Sequence, residues 1–154
     1  SDCPNHTVGR TTPFETRGHV ALAGTFGYEL DVTKIPQADR ALIPGQVAMY
    51  HRFNDLVREG DYFRIASYRE NHQYECYGVV DKQKTRALFT YVQVKARANY
   101  HSRLLKLKGL DPHKMYRCEA NGEVYGGDLL LHGGFLVPVI HGDAVSRLYY
   151  FEEV

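Results

Sequence analysis

Cys3 and His6 form a Cys-x-x-His pair, the spacing in this sequence that most resembles part of a metal site. The chain has 8 histidines and 3 cysteines. A structural zinc site needs four ligands, which usually come as two close pairs. No second close pair follows, and no His-x-x-x-His occurs. We therefore expect neither a metal site nor a cofactor.

The thiol of Cys3 is also a candidate nucleophile, but it would need a histidine base and an orienting group beside it in space. Sequence spacing favours a spectator thiol instead. Among the 18 acidic residues, no pair stands out as a general acid and base. We thus assign no catalytic residue. The three cysteines, Cys3, Cys76 and Cys118, are widely spaced, which argues against a disulfide framework and favours a cytoplasmic location.

A basic stretch between Lys95 and Lys108 contains Tyr100 and His101, a mixture seen in nucleic-acid-binding patches. The net charge of the chain is only +1, with 19 basic and 18 acidic residues. A solvated face is the better interpretation, so we expect no nucleic-acid partner. No apolar run approaches the roughly 20 residues of a membrane helix, so we expect no membrane partner.

The first half of the chain has helical periodicity. Ile43, Val47, Tyr50 and Val57 recur at helical spacing and predict a helix over about 38–58. Pro44 suggests that regular helix begins only after Ile43, because proline is tolerated in a first turn. Residues 19–26 are small and apolar and fit a short helix or a strand, and residues 28–35 are expected to connect.

From residue 61 the pattern changes to the period of two that is typical of strands. The predicted strands cover residues 62–66, 73–80, 86–94, 104–107, 114–119, 123–125, 136–140 and 146–152. Asn121-Gly122 is a strong hairpin signal, and the polar residues 81–85 form another connection. With 12 tyrosines and short strands separated by turns, we expect an antiparallel β-sandwich after a helical segment.

Several segments resemble glycoside hydrolase family 36 α-galactosidases. They are SDCPNHTVGR at 1–10, GTFGYELD at 24–31, IASY at 65–68, GLDP at 109–112 and YGGDLL at 125–130. The resemblance implies an α+β fragment with two parts. Residues 1–59 would be the closing loop and helices of a catalytic (β/α)8 barrel, and residues 60–154 the C-terminal antiparallel β-sandwich.

The resemblance also implies a reaction, the removal of terminal α-linked galactose from melibiose or raffinose with retention of configuration. Retention needs two carboxyl groups about 5 Å apart. In the family both are aspartates, and the nucleophile lies in a Lys-Trp-Asp motif. This chain has no tryptophan, and it also lacks the family's acid/base motif, an Asp-Asp stretch followed by Glu-Arg, so neither catalytic residue is carried over. The chain is then a structural portion of its parent and inactive in isolation, and the galactosides would bind through the parent's barrel.

The resemblance places the loop of Asp2, Cys3, Asn5 and His6 toward the active-site face, because barrel sites form at the C-terminal ends of the strands. We expect these residues to shape the loop, and direct sugar contact is the weaker alternative. The parent is expected to be a homo-oligomer, a tetramer. If Phe26, Met49 and Phe53 face the missing barrel, they should form an exposed apolar patch. A free-standing carbohydrate-binding or oligomerisation module is the alternative function.

The resemblance predicts that the native protein is larger than this chain. An antibody raised against the chain should detect a species several times 17.6 kDa in the source cells. The measurement is the intact mass of the immunoprecipitated protein. A native mass of 17.6 kDa would contradict the interpretation as a fragment.

Overall fold

The computed structural model describes residues 3–99 and 101–154. The helices are α1 (Phe14–Ala21), α2 (Gln37–Glu59) and α3 (Tyr68–Asn71), with a short π-helix at Leu129–Gly133. The strands are β1 (Asp61–Ala66), β2 (Tyr74–Val80), β3 (Arg86–Gln93), β4 (Arg103–Leu105), β5 (Met115–Cys118), β6 (Val124–Gly126), β7 (Phe135–Val137) and β8 (Val145–Glu153). None of the described helices is long and apolar enough to cross a membrane.

The strands form two antiparallel sheets. Six strands lie in the order β1-β2-β3-β8-β5-β6, and β4 pairs with β7 in a separate two-stranded sheet. The prediction of an α+β chain with antiparallel strands is thus confirmed. The second layer of the sandwich is small, since it consists of β4 and β7 alone. Helices cover the other face of the main sheet.

The central pair, β3 and β8, is buried on both faces. Arg86 lies opposite Glu152, and the register continues to Gln93 opposite Val145. Side chains alternate between faces along a strand. Leu88 and Tyr150 accordingly face the helices, in a cluster with residues of α2. The opposite face carries the larger core cluster.

Aromatic rings fill that larger cluster, where the small sheet packs on the main sheet. Phe135 of β7 lies 4.8 Å from Tyr149 and 5.3 Å from Phe151, measured between ring centroids. Phe89 of β3 meets Phe151 at 5.9 Å. These contacts of Phe151 with Phe89 and Phe135, and a third with Tyr125, are edge-to-face, an arrangement favoured by the ring quadrupoles. The abundance of tyrosine and phenylalanine therefore reflects burial between layers.

Helix α2 starts earlier than the proline suggested. It runs unbroken over 23 residues from Gln37, with Pro44 inside it. Pro44 cannot donate to the carbonyl of Arg40, but both residues are exposed, so water can reach that carbonyl. The Arg40 side chain also ties the first turn down, donating from Nη2 to the carbonyls of Thr33 (3.0 Å) and Ile35 (3.3 Å).

Residues 19–26, which fitted either a helix or a strand, include the end of α1 and a turn. Helix α1 spans eight residues and begins at Phe14. Residues 25–35 belong to neither helix nor strand, as the connector prediction required for residues 28–35. Both predicted hairpins are confirmed. Residues 81–85 join β2 to β3, and Gly122 takes φ +75° between β5 and β6.

The expected apolar patch is only partly present. Phe26 and Met49 are half-buried, but Phe53 is 5% exposed. The expectation for Phe53 is wrong, because its ring packs on Tyr150 of β8 with centroids 5.1 Å apart. The side chain faces this chain's own sheet rather than a missing neighbour.

The attachment of α2 to the sheet should depend on Leu56, which is 2% exposed. Leu56→Ala should lower the free energy of unfolding by about 3 kcal/mol, because the deletion leaves a cavity in the cluster below the helix. The measurement is urea unfolding of the chain. Leu42→Ala on the same helix is the matched control, since Leu42 is 43% exposed, and should cost only about 0.5 kcal/mol. Equal losses in the two variants would contradict this packing.

Candidate functional site

Residues 3–12 form a closed turn that we call the N-terminal loop. Asn5 closes it with both backbone and side chain. Its backbone N–H donates to the carbonyl of Arg10 at 2.9 Å, and its carbonyl accepts from the N–H of Gly9 at 2.8 Å. Its side-chain Oδ1 accepts from the backbone N–H groups of Thr7 and Val8, both at 3.0 Å. An asparagine suits this role because its short amide reaches its own backbone.

The predicted site residues in this loop differ in their surroundings. Cys3 is exposed, and its thiol donates to the carbonyl of Thr12 at 3.6 Å. His6 is exposed, whereas Asn5 is half-buried and is committed to the turn. Asp2 lies outside the described residues. Within the described ranges, no three His, Cys, Asp or Glu side chains converge as a metal site requires.

A cavity of about 350 Å³ lies where the N-terminal loop enters α1. Its walls combine aromatic rings with a few polar groups and come from residues 12–30 and from α2. Phe14 and Tyr28 are stacked with parallel rings 5.9 Å apart, and the guanidinium of Arg17 lies 4.9 Å from the centre of the Phe14 ring. Partial burial raises the pKa of Tyr28. The cavity can take an apolar group with a polar end.

Gln46 of α2 forms the polar end of the cavity. It accepts a hydrogen bond from the hydroxyl of Tyr28 (2.7 Å) and donates from Nε2 to the carbonyl of Phe14 (3.0 Å). The side chain is 4% exposed, so these bonds replace those it would make with water. Gly18 makes room for it, because a Cβ at that position would lie 2.4 Å from Nε2 of Gln46. A side chain at position 18 would therefore displace the amide of Gln46 from its hydrogen-bonded position.

A second buried polar group joins α1 to the sheet. His19 Nδ1 lies 2.8 Å from Ser146 Oγ, and Ser146 donates to the hydroxyl of Thr16 at 3.0 Å. We call Thr16, His19 and Ser146 the buried polar trio. Burial lowers the pKa of His19, the nearby carboxylate of Glu15 opposes this, and Arg147 adds to it. The trio connects residues that are 127 and 130 positions apart.

Sequence analysis identified the N-terminal loop but missed both buried polar groups. Gln46 lies beside the apolar stripe of α2 and carries no motif. No sequence pattern marks His19 or Ser146, because the two residues meet only when β8 packs against α1. A signal existed only for Gly18, a glycine inside a helix, which often marks a close approach.

Comparison with protein-family models gives two matches. Residues 1–60 match the family described as Melibiase. Residues 74–151 match the model described as Glycosyl hydrolase family 36 C-terminal domain.

Curated relatives are similar along the whole chain. Alpha-galactosidase AgaA of Geobacillus stearothermophilus is 39% identical over 154 residues, covering 100% of this chain and 21% of the relative. Alpha-galactosidase Mel36A of Lactobacillus acidophilus is 38% identical over 152 residues, covering 98% and 20%. The chain therefore spans about a fifth of the length of these relatives.

Solved structures agree in fold. The crystal structure of the GH36 alpha-galactosidase AgaB from Geobacillus stearothermophilus superposes with a TM-score of 0.93 at 40% identity, covering 99% of this chain and 21% of that chain. A variant of AgaA in complex with raffinose superposes with a TM-score of 0.94 at 38% identity, with the same coverage. From the family-model matches, the relatives and the shared fold, the chain belongs to glycosyl hydrolase family 36 and carries the C-terminal domain of that family.

Proposed function

We propose that this chain is the C-terminal portion of a retaining α-galactosidase that removes terminal α-linked galactose from oligosaccharides such as melibiose and raffinose. The observation that carries the proposal is the similarity over the entire chain to enzymes named as alpha-galactosidases. The AgaA variant that was crystallised with raffinose has nearly the same fold over this region. The portion described here is structural, and the catalytic aspartates belong to other parts of the parent.

Within this proposal, residues 1–59 complete the catalytic barrel and residues 60–154 form the C-terminal domain. Residues 26–30 support the division. Phe26, Tyr28 and Leu30 are half-buried, whereas Gly27 and Glu29 are exposed. This is the alternation of a strand with one covered face. The described residues place the segment in neither sheet, which fits a strand whose neighbours lie elsewhere in the parent.

The cavity beside α1 also fits a missing neighbour. Val20, 46% exposed, lines it together with half-buried Phe26 and Leu30. Apolar side chains on an open surface usually mark a contact. We propose that the rest of the barrel packs against this side of α1. The N-terminal loop would then lie next to the substrate, with Asp2, Cys3, Asn5 and His6 shaping that side of the site.

The alternative, a carbohydrate-binding module, would need a platform of exposed aromatic rings. Tyr62 is 54% exposed and stacks on Tyr77 at 6.0 Å. Other tyrosines, such as Tyr91 and Tyr116, are fully buried in the core. Among residues 3–99 and 101–154, this exposed stack is small for a sugar platform, so this alternative is less well supported. The cytoplasmic location, the tetramer and the absence of nucleic-acid and membrane partners stay predictions.

The proposal predicts that activity requires the whole parent. The full-length protein should release galactose from melibiose and raffinose, with the α-anomer as first product by NMR. The 154-residue chain alone should release none, because a retaining mechanism needs two carboxyl groups that we place elsewhere. Hydrolysis by the isolated chain would overturn the proposal. Saturable galactoside binding by that chain, without any activity of the parent, would favour the module.

The position of the N-terminal loop gives a separate prediction. In the full-length protein, His6→Ala should lower kcat/KM for melibiose about fivefold, because we propose that His6 shapes the side of the site next to the substrate. His132→Ala is the matched control, because His132 is also exposed but lies at the end of the π-helix. Its kcat/KM should stay within twofold of the wild type. Equal values for the two variants would place His6 away from the substrate.

A further inference from the structure

The two helices are held on the sheet by different kinds of interaction. Helix α2 packs through Phe53 and Leu56 on an apolar cluster. Helix α1 is only eight residues long, too short to be stable in isolation. Its ends bury the apolar side chains of Phe14 and Leu22, and where α1 meets the start of β8 the contact includes the buried polar trio. Thr16 is 3% exposed, His19 is 7% exposed and Ser146 is 0% exposed.

Each hydroxyl of the trio has a single proton to donate. When Ser146 donates to Thr16, it accepts from Nδ1–H of His19 at 2.8 Å. When Thr16 donates to Ser146 instead, Ser146 donates to Nδ1 of His19. A neutral imidazole therefore satisfies the trio in either tautomer. Protonation gives the ring a second N–H, which would need a partner in a buried place.

Few charged groups surround His19. Glu15 lies one turn earlier on α1, and Arg147 follows Ser146 on β8. The part of α2 that shares a groove with His19 contributes uncharged side chains, Ala41, Leu42, Gln46 and Met49. In β3, the residue opposite Ser146 is the uncharged Val92. Burial disfavours the protonated ring of His19, and the nearby carboxylate of Glu15 offsets this effect only in part.

Acid should loosen this contact. The pKa of His19 is lowered from its ordinary 6.5 in the folded protein, mainly by burial. The undocked state then binds the proton more readily than the docked state below pH 6.5. The docking of α1 is thus fully stable above that pH and is lost progressively as the pH falls.

The N-terminal loop is attached directly to α1. The loop ends at Thr12, and α1 begins at Phe14 after Pro13. The thiol of Cys3 reaches back to the carbonyl of Thr12, so the start of the loop is tied to the entrance of the helix. A shift of α1 on the sheet would therefore displace the loop.

We propose that Ser146 is a positioning residue: by binding His19 and Thr16 it holds α1 on β8, and through α1 it holds the N-terminal loop in place. This links a residue of the C-terminal domain to a loop that we place beside the substrate, and that last step rests on the proposed function.

The test uses the full-length protein and measures amide hydrogen exchange of α1 relative to β3, at pH 7.5 and 5.5. In the wild type, the protection of α1 should fall between these values by up to about tenfold, the limit set by protonation of the undocked state below pH 6.5. Ser146→Ala should lower the protection of α1 about tenfold already at pH 7.5, since it leaves Nδ1 of His19 buried without a hydrogen-bond partner. Ser67→Ala, at another buried serine beyond the end of β1, is the control and should leave α1 unchanged.

His19→Asn keeps a donor where Nδ1 lies but cannot titrate. It should retain the protection of α1 at pH 7.5 and lose its pH dependence. Equal loss of protection in α1 and β3 on Ser146→Ala would show global destabilisation and overturn the proposal, as would a pH dependence that persists in His19→Asn.

Kinetics of the same variants separate this role from the proposed function. With melibiose as substrate, Ser146→Ala should raise KM about threefold and leave kcat within twofold, because we place the loop beside the substrate and away from the reacting atoms. An unchanged KM would overturn the link to the loop. A wild-type protein without galactosidase activity would contradict the proposed function, while hydrogen exchange would still decide whether Ser146 holds α1.

Discussion

The pairing of β3 with β8 is the constraint on which the rest of the structure depends. These strands are about 60 residues apart in sequence, and their register runs from Arg86 opposite Glu152 to Gln93 opposite Val145. Each face of the pair carries a separate cluster, with Phe89 and Phe151 on one side and Leu88 and Tyr150 on the other. A slip of one residue would exchange the two faces. The register therefore decides which surface receives the helices.

The face of the sheet that carries Leu88 and Tyr150 holds α1 and α2 by different kinds of interaction. Below α2 lie apolar side chains, and ion pairs line the edge of the contact. Arg52 binds Glu119 and lies 4.8 Å from the centre of the Tyr150 ring, and Arg86 binds Asp55 at 2.8 Å. These charged pairs are largely exposed, so the apolar cluster supplies most of the stability. The buried polar trio at α1 contributes directionality, because its hydrogen bonds form only when the three side chains meet within hydrogen-bond distance.

Our proposal gives this portion of the parent enzyme a supporting role. The chain spans about a fifth of its relatives, and our proposal leaves the chemistry to the remainder. What this portion offers is a rigid base. A sheet with both faces buried supports α1 and α2, and these helices support the loop and the cavity that we place against the barrel. A C-terminal domain can influence a distant site in this way without touching substrate.

Local signals were enough for the elements themselves. Helical spacing in residues 43–57, alternation in residues 86–94 and the Asn121-Gly122 turn each depend on neighbours in the sequence, and the structure confirms them. The family resemblance could also be recognised from the sequence, because motifs such as SDCPNHTVGR are contiguous. The helix start predicted from Pro44 was wrong, because helix propensity describes an average helix. Here the carbonyl that loses its hydrogen bond faces water, and the side chain of Arg40 anchors the first turn.

Only the tertiary structure decided which residues meet. The sequence by itself determined α2, the approximate positions of the strands, the hairpins and the family, but not α1, α3 or the π-helix. It could not show that Phe53 packs on Tyr150, or that Gly18 makes space for Gln46. Nor could it show that His19 and Ser146, 127 positions apart, share a hydrogen bond. Such contacts depend on the strand order and on how the helices cross the sheet, which result from the burial of the whole apolar surface rather than from any local pattern.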